Sequence, residues 1–485
     1  MNRPLRRVAT ACLVLLILLL VNLNYLQVIK ANDYRTDPRN VRVLLEEYSR
    51  QRGAILVGNE PIVISKATDD SLKYLRVYLE PEAYAFATGY YSHVYGASGI
   101  ERYENGILAG TDDRLFVKRI VELLTQSGTT GGDVTLTLNP AAQEAAYRGL
   151  AGRRGAVVAL EPSTGRILAM VSSPSYDPNL LAAHDGGAET KAWTSLNADP
   201  NTPLLDRALS QTYPPGSTFK LVTAAAALSS GQYTPTSPVP GPATLPLPQT
   251  SISLPNDFKG TCTPGSNQTT ITQALERSCN TTFGAIGLAL GDHAIRKQAD
   301  AFGFDTGLSI PMQVATSVFP TGLNPPETAQ SAIGQYDVRA TPLQMAMLAA
   351  GIANQGTVMT PYLVEQLRSR DLEVISRTDP KVYSHAITAQ VAAELTNIMV
   401  AVVDNGTGTN AQIYGMKVAG KTGTAQTGDG KNPDAWFVSF APAENPAVAV
   451  AVVLENGGSN QQLEISGNLL AAPIAKAVMQ AVIAQ

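Results

Sequence analysis

The first pattern in the chain is a mainly apolar run from Val8 to Val21, preceded by Met1-Asn-Arg-Pro-Leu-Arg-Arg7 and followed by Asn22-Leu-Asn-Tyr-Leu-Gln-Val-Ile29. Roughly 20 residues of this kind make a membrane-crossing helix. Asn22, Asn24 and Tyr25 then sit at the outer interface, and Arg3, Arg6 and Arg7 hold the N-terminus in the cytoplasm. A cleaved signal peptide fits the same pattern; the lack of an A-x-A-like site after it favours an uncleaved, single-pass anchor over residues 1–30. Beyond it, Tyr74-Leu-Arg-Val-Tyr78 reads as a strand, and Val134-Thr-Leu-Thr-Leu138 alternates as one after the turn-rich patch Thr129–Asp133. Ala141–Ala146 has helix formers, and the domain junction is placed close to this point.

Gly155-Ala-Val-Val-Ala-Leu160 and Arg166-Ile-Leu-Ala-Met-Val171 flank the turn Glu161-Pro-Ser-Thr-Gly165 and predict a hairpin. Near the other end, Ala435–Phe440 and Ala447–Val453 are β-type runs, and Leu469–Ile483 is amphipathic. Strands at both ends bracket a helical middle. That order predicts an antiparallel sheet built from the two ends of the lobe with helices on its faces. The Pro-rich stretch Thr234–Pro248 is expected to be an irregular excursion between helices.

A length of 485 residues exceeds what one core organises, so at least two lobes are expected outside the membrane. We expect a non-catalytic pedestal over 31–140 and a catalytic lobe over 141–485. The net charge of −4 leaves no basic footprint for nucleic acid. Of 3 cysteines, Cys12 lies in the apolar segment, leaving Cys262 and Cys279 outside as a disulfide or as two buried thiols. The compartment favours the bond. The 4 histidines are isolated and form no His-Glu-x-x-His motif, so no metal and no cofactor is expected.

Candidate chemistry begins at Tyr213-Pro-Pro-Gly-Ser-Thr-Phe-Lys220, where a helix-forming run follows a Pro/Gly breaker. Ser217 then sits at a helix N-terminus with Lys220 one turn on, close enough to take its proton. Alone this pair is weak, because Ser and Lys three apart recur by chance about once in a chain of this length. Two further elements change its weight: Ser278-Cys-Asn280 and Lys421-Thr-Gly-Thr424. The order Ser-x-x-Lys, Ser-x-Asn, Lys-Thr-Gly is the motif set of penicillin-binding proteins and serine β-lactamases.

Together with Gly155–Arg166, Ser331–Gln335, Ala340–Met345 and Ala435–Phe440, and less specifically Arg52-Gly-Ala-Ile55 and Gly99–Tyr103, these motifs give nearly the whole chain a resemblance to class B penicillin-binding proteins. It is most similar to the actinobacterial penicillin-binding protein A type. The resemblance implies an α/β multidomain fold: a membrane helix, an elongated mostly-β or mixed pedestal of dimerisation-like type, and a serine β-lactamase/transpeptidase-like domain. That domain has a central antiparallel sheet flanked by helices plus an all-α subdomain. The implied activity is D,D-transpeptidation of stem peptides ending in D-Ala-D-Ala through a Ser217 acyl-enzyme, with β-lactams trapped at the same serine.

Lys220 is implied as general base, Ser278 and Lys421 as its proton-handling partners. Asn280, Thr422, Gly423 and Thr424 are implied as substrate contacts. Because a free lysine is almost wholly charged at neutral pH, Lys220 needs burial and the charge of Lys421 to become a base. The implied setting is the cell membrane, with the catalytic domain outside and a cell-wall synthesis or division complex that includes a glycosyltransferase. A D,D-carboxypeptidase and a β-lactam-binding sensor or scaffold remain as alternatives, whereas a secreted β-lactamase fits poorly with the long, anchored chain.

Overall fold

The computed structural model describes residues 2–30, 48–112, 114, 130–371, 373–426, 432–457 and 467–484. The expected start of the pedestal at Ala31 and Thr129 of the turn-rich patch lie outside these residues. Asn2–Asn24 is an α-helix continued by the turn Tyr25–Ile29, and Arg3–Ile29 is long and apolar enough to cross a membrane. Its apolar window is not buried against the rest of the protein.

Two sheets organise the remainder. Among the described residues the first has six strands, in the order Val374–Arg377, Val364–Arg368, Asp133–Leu136, Ile55–Val57, Glu60–Ala67 and Tyr74–Tyr78. Asp133–Leu136 runs parallel to Ile55–Val57 and antiparallel to Val364–Arg368. The hairpin 364–377 lies far along the chain, within the stretch expected to be catalytic, yet it completes this six-stranded sheet. Glu101, in the short helix Gly99–Tyr103 and with no exposed surface, accepts from Arg52 Nη2 at 2.7 Å and from Arg76 Nε, on the strand Tyr74–Tyr78, at 2.5 Å.

The second sheet has the order Ala419–Ala425, Asp434–Ala441, Val448–Leu454, Gly155–Leu160 and Ile167–Ser173, all antiparallel. It is the sheet expected from the two chain ends. Its strands are buried along their whole length because both faces are covered, and the inner three are mainly apolar. Alternate residues point to opposite faces, so Val157, Phe437, Val450 and Val452 pack with the helices Pro140–Leu150 and Ala472–Ile483. Val158, Trp436, Val438 and Val453 instead join the large core with Pro342–Ala353 and Ala389–Asp404.

The helix Pro140–Leu150 starts where the sequence directs it. Asn139 accepts from Ala142 N at 3.0 Å and Pro140 occupies the first turn, where its missing N–H costs nothing. The Pro-rich excursion is more ordered than expected. Pro238–Pro240 pairs with Gln268–Thr270 and Thr244–Pro246 with Ser253–Pro255, so two short ribbons stand where irregular chain was predicted.

Candidate active site

Ser217 lies in a 3₁₀ turn, Gly216–Phe219, that leads into the α-helix Lys220–Ser229. Side chains three apart eclipse on a 3₁₀ turn, which stacks the lysine on the serine: Lys220 Nζ is 2.9 Å from Ser217 Oγ. Close backbone approach fixes this turn. Gly216 has φ +52°, and a Cβ there would run into Thr424 O. Gly216 N donates to Gly334 O at 3.0 Å, and Gly334, with φ +74°, has no room for a Cβ against Gly216 O and Phe219.

The base of the turn is held electrostatically. Glu455 accepts from Arg207 Nε at 2.8 Å, Arg154 Nε at 2.7 Å and Tyr213 Oη at 2.9 Å, and Trp436 Nε1 donates to Pro214 O at 3.1 Å. Burial, then Glu455, pushes the Tyr213 phenol well above its ordinary pKa, so it stays a neutral donor.

The second motif follows the short helix Ile271–Glu276, which a Thr270–Gln273 capping box starts. Ser278 takes φ +61°, an uncommon conformation for a non-glycine residue, and Asn280 opens the next helix, Asn280–Leu290. The kink points Ser278 and Asn280 at Lys220. Lys220 Nζ lies 2.6 Å from Ser278 O, 3.3 Å from Ser278 Oγ and 2.7 Å from Asn280 Oδ1. Lys421, on the edge strand of the central sheet, reaches the same hydroxyl: Nζ to Ser278 Oγ is 2.8 Å. Ser217, Lys220, Ser278 and Lys421 therefore form one continuous chain of contacts, with the two lysines and Ser278 fully buried and Ser217 3% exposed.

The remaining expected residues separate. Thr424 and Asn280 join Ser217 in lining an open cleft. Thr422 is fully buried, with its Oγ1 2.6 Å from Thr407 Oγ1, so its hydroxyl faces inward rather than into that cleft. Gly423 lets the strand pass the Ser217 turn, since a Cβ there would meet Thr218 Cγ2 at 2.8 Å. Cys262 and Cys279 come together with Cα atoms 5.9 Å apart, which ties Cys279, the middle residue of the Ser278-Cys-Asn280 motif, to a segment 17 residues earlier.

Other cleft residues, among them Asp257, Gln330, Tyr336 and Gln426, were assigned no role from sequence. Tyr336 carries one local sign, a φ of +60° just after Gly334. Asp257 carries none, because nothing in the Pro-rich stretch before it announces that this chain returns to Ser217.

Comparison with known proteins agrees with this geometry. Residues 155–480 match the penicillin binding protein transpeptidase domain, and residues 52–134 match the penicillin binding protein A dimerisation domain. The peptidoglycan D,D-transpeptidase PbpA of Mycolicibacterium smegmatis is 48% identical over 490 residues, covering 99% of each chain. Its counterpart in Mycobacterium tuberculosis is 45% identical over 491 residues, again covering 99% of each. Among solved structures, penicillin-binding protein A from M. tuberculosis as a ceftriaxone acyl-enzyme complex superposes with a TM-score of 0.87 at 44% identity, covering 90% of this chain and 100% of that one. Its penicillin G acyl-enzyme complex gives 0.85 over the same shares. With the Ser217, Lys220, Ser278 and Lys421 contacts in place and the transpeptidase match spanning most of its length, the chain belongs to the penicillin-binding protein transpeptidase family.

Proposed function

We propose that this protein is a peptidoglycan D,D-transpeptidase in which Ser217 is acylated by a stem peptide ending in D-Ala-D-Ala and then deacylated by an amine of a neighbouring stem. The observation that carries the reading is the placement of Lys220. Burial and a second buried lysine one hydroxyl away both favour its neutral form. A neutral amine has two N–H donors and one lone pair. Ser278 O and Asn280 Oδ1 can only accept, so they suit the two donors, while the Ser217 hydroxyl at 2.9 Å, closer than Ser278 Oγ at 3.3 Å, can donate to the lone pair.

In the first half-reaction Lys220 takes the Ser217 proton as Oγ attacks the penultimate carbonyl. The C–N bond to the terminal D-alanine breaks, and its nitrogen receives a proton through Ser278, which touches both Lys220 and Lys421. The backbone N–H groups of Ser217 and Thr424 stabilise the oxyanion, each worth about 3–4 kcal/mol of barrier. Asn280 orients the substrate amide, the Lys421–Thr424 strand pairs with the extended peptide, and Thr424 receives the terminal carboxylate. β-Lactams acylate Ser217 by the same attack and stay bound.

Residues 1–30 serve as an uncleaved anchor that leaves the catalytic lobe outside the cytoplasm, 31–140 as the pedestal and 141–485 as the catalytic lobe, with 364–377 lent back to the pedestal's sheet. The pedestal would dock the enzyme beside a glycosyltransferase in a cell-wall synthesis complex. To test the reaction, detergent-solubilised full-length protein is incubated with a D-Ala-D-Ala stem peptide and an amine acceptor. Free D-alanine and an amide-linked product are expected, both absent for Ser217→Ala. Release of D-alanine without any amide product would replace the transpeptidase reading by a carboxypeptidase.

A further inference from the structure

Asp257 stands out in the active-site cleft. Among the described residues lining it, Asp257 is the one with a formal charge, and its neighbours there include Asn280, Gln330, Gln335, Thr424 and Gln426. The carboxylate is half-buried and makes no hydrogen bond or ion pair within the described chain. Its position is nevertheless fixed. The carbonyl of Pro255 accepts from Asn280 Nδ2 at 3.2 Å, and Asn256 Oδ1 accepts from Thr281 N at 3.1 Å, while Asn256 Nδ2 donates to Pro242 O and Gly260 O at 3.2 Å each.

Five residues on, Cys262 N donates to Gly241 O at 2.9 Å, Cys262 O accepts from Arg277 Nη1 at 2.7 Å, and its side chain packs beside Cys279. The loop bearing Asp257 is thus pinned at both ends to the segment that carries Ser278 and Asn280. Arg277, whose guanidinium stacks on Phe258 next in the chain to Asp257 with Cζ 4.7 Å from the ring centroid, donates to Cys262 O. A rigidly mounted carboxylate without an internal partner, facing substrate, suits a cationic group on that substrate.

We propose that Asp257 is the specificity determinant for the acceptor, binding the ammonium form of the incoming amine and favouring it over water and neutral nucleophiles; this rests on the transpeptidase reading above. The ammonium first loses a proton to water. The amine nitrogen then bonds to the acyl carbon, the ester C–Oγ bond to Ser217 breaks, and the amine's second proton passes through Lys220 to Ser217 Oγ. Asp257 forms no covalent bond and acts on the approach of the nucleophile.

The test compares wild-type full-length protein with Asp257→Asn, which keeps size and polarity but not charge. Three rates are read: acylation by penicillin, transfer of a D-Ala-D-Ala stem peptide to a primary amine, and transfer of the same donor to methanol. The expected result is a fall of about five- to tenfold in kcat/KM for the amine, carried by its KM. Methanolysis and penicillin acylation stay within about twofold, and Asp257→Glu recovers part of the amine preference. An unchanged amine-to-methanol ratio overturns the proposal, as does an equal fall in all three rates, which marks a structural role. Failure of the wild type to transfer the donor to either nucleophile sinks the transpeptidase reading itself and is distinct from both.

Discussion

Replacing Glu101 by Gln removes the carboxylate that, among the described residues, bridges Arg52 and Arg76, and its cost can be worked from the structure. Glu101 is fully buried and both arginines are 4% exposed. Arg52 donates to Glu101 Oε2 from Nη2 at 2.7 Å and from Nε at 3.1 Å, Arg76 Nε donates to Oε1 at 2.5 Å, and Tyr78 Oη lies 3.3 Å from Oε1. Breaking a buried pair by removing one partner costs about 3–5 kcal/mol, because the remaining charge stays desolvated. Glutamine keeps one acceptor oxygen, which sets the estimate at about 3 kcal/mol, with Glu101→Ala near the upper end.

At about 2–4 °C per kcal/mol for a domain of this class, Tm should fall by about 6–12 °C. Burial works to raise the Glu101 pKa, but Arg76 and Arg52 outweigh it and hold the carboxyl below its ordinary value of 4.5. A depressed folded pKa gives stability that is present above the unfolded value and lost as pH falls through the folded one. The gap between wild type and variant is therefore full at pH 7 and closes in acid below about pH 4. Scanning calorimetry of the full-length protein in detergent measures it, with penicillin acylation at 25 °C as the check that the remote site is intact. A drop under about 2 °C at pH 7, or a gap that widens on acidification, refutes the reasoning.

Three further outcomes follow from other parts of the molecule. Gly334→Ala places a Cβ against Gly216 O and Phe219 at a φ of +74°, so penicillin acylation should slow by at least about tenfold with a lowered Tm; a normal rate contradicts the packing. Burial raises the Glu189 pKa from 4.5 to about 7, with Ser92 working weakly the other way, so its protonated form stabilises the fold below the unfolded value and that stability is lost as pH rises through about 7. Glu189→Gln should then lose this pH dependence and become the more stable protein at pH 8, by about 2 kcal/mol once the shift is discounted for solvent screening; parallel Tm–pH curves reject it. Thiol trapping on unreduced protein should leave Cys262 and Cys279 unmodified, and reduction should cost about 3 kcal/mol for a loop of this length; ready alkylation of both rejects the bond.

The sequence carried the central sheet well, because four of its five strands are mainly apolar runs at the two ends of the lobe, buried on both faces. It carried the Ser217, Lys220, Ser278 and Lys421 set for another reason: each lies in a motif only a few residues long. What it withheld depends on contacts between distant segments. Val364–Arg368 has no local mark that sends it to the six-stranded sheet rather than the central one, since strand pairing is decided by neighbours and register. The inward turn of the Thr422 hydroxyl depends on Thr407, 15 residues earlier, and the mounting of Asp257 on Asn256 and Thr281, so neither could be read from spacing.

The central claim, that Ser217 is the nucleophile and Lys220 its base, is tested most directly by intact-mass analysis of the full-length protein after incubation with penicillin. Wild type should gain the mass of one penicillin, located on the peptide containing Ser217. Ser217→Ala should gain none, and Lys220→Ala should acylate slower by at least about a hundredfold, within the range general-base catalysis supplies. A stable adduct on Ser217→Ala, or Lys220→Ala acylating at the wild-type rate, would contradict the account.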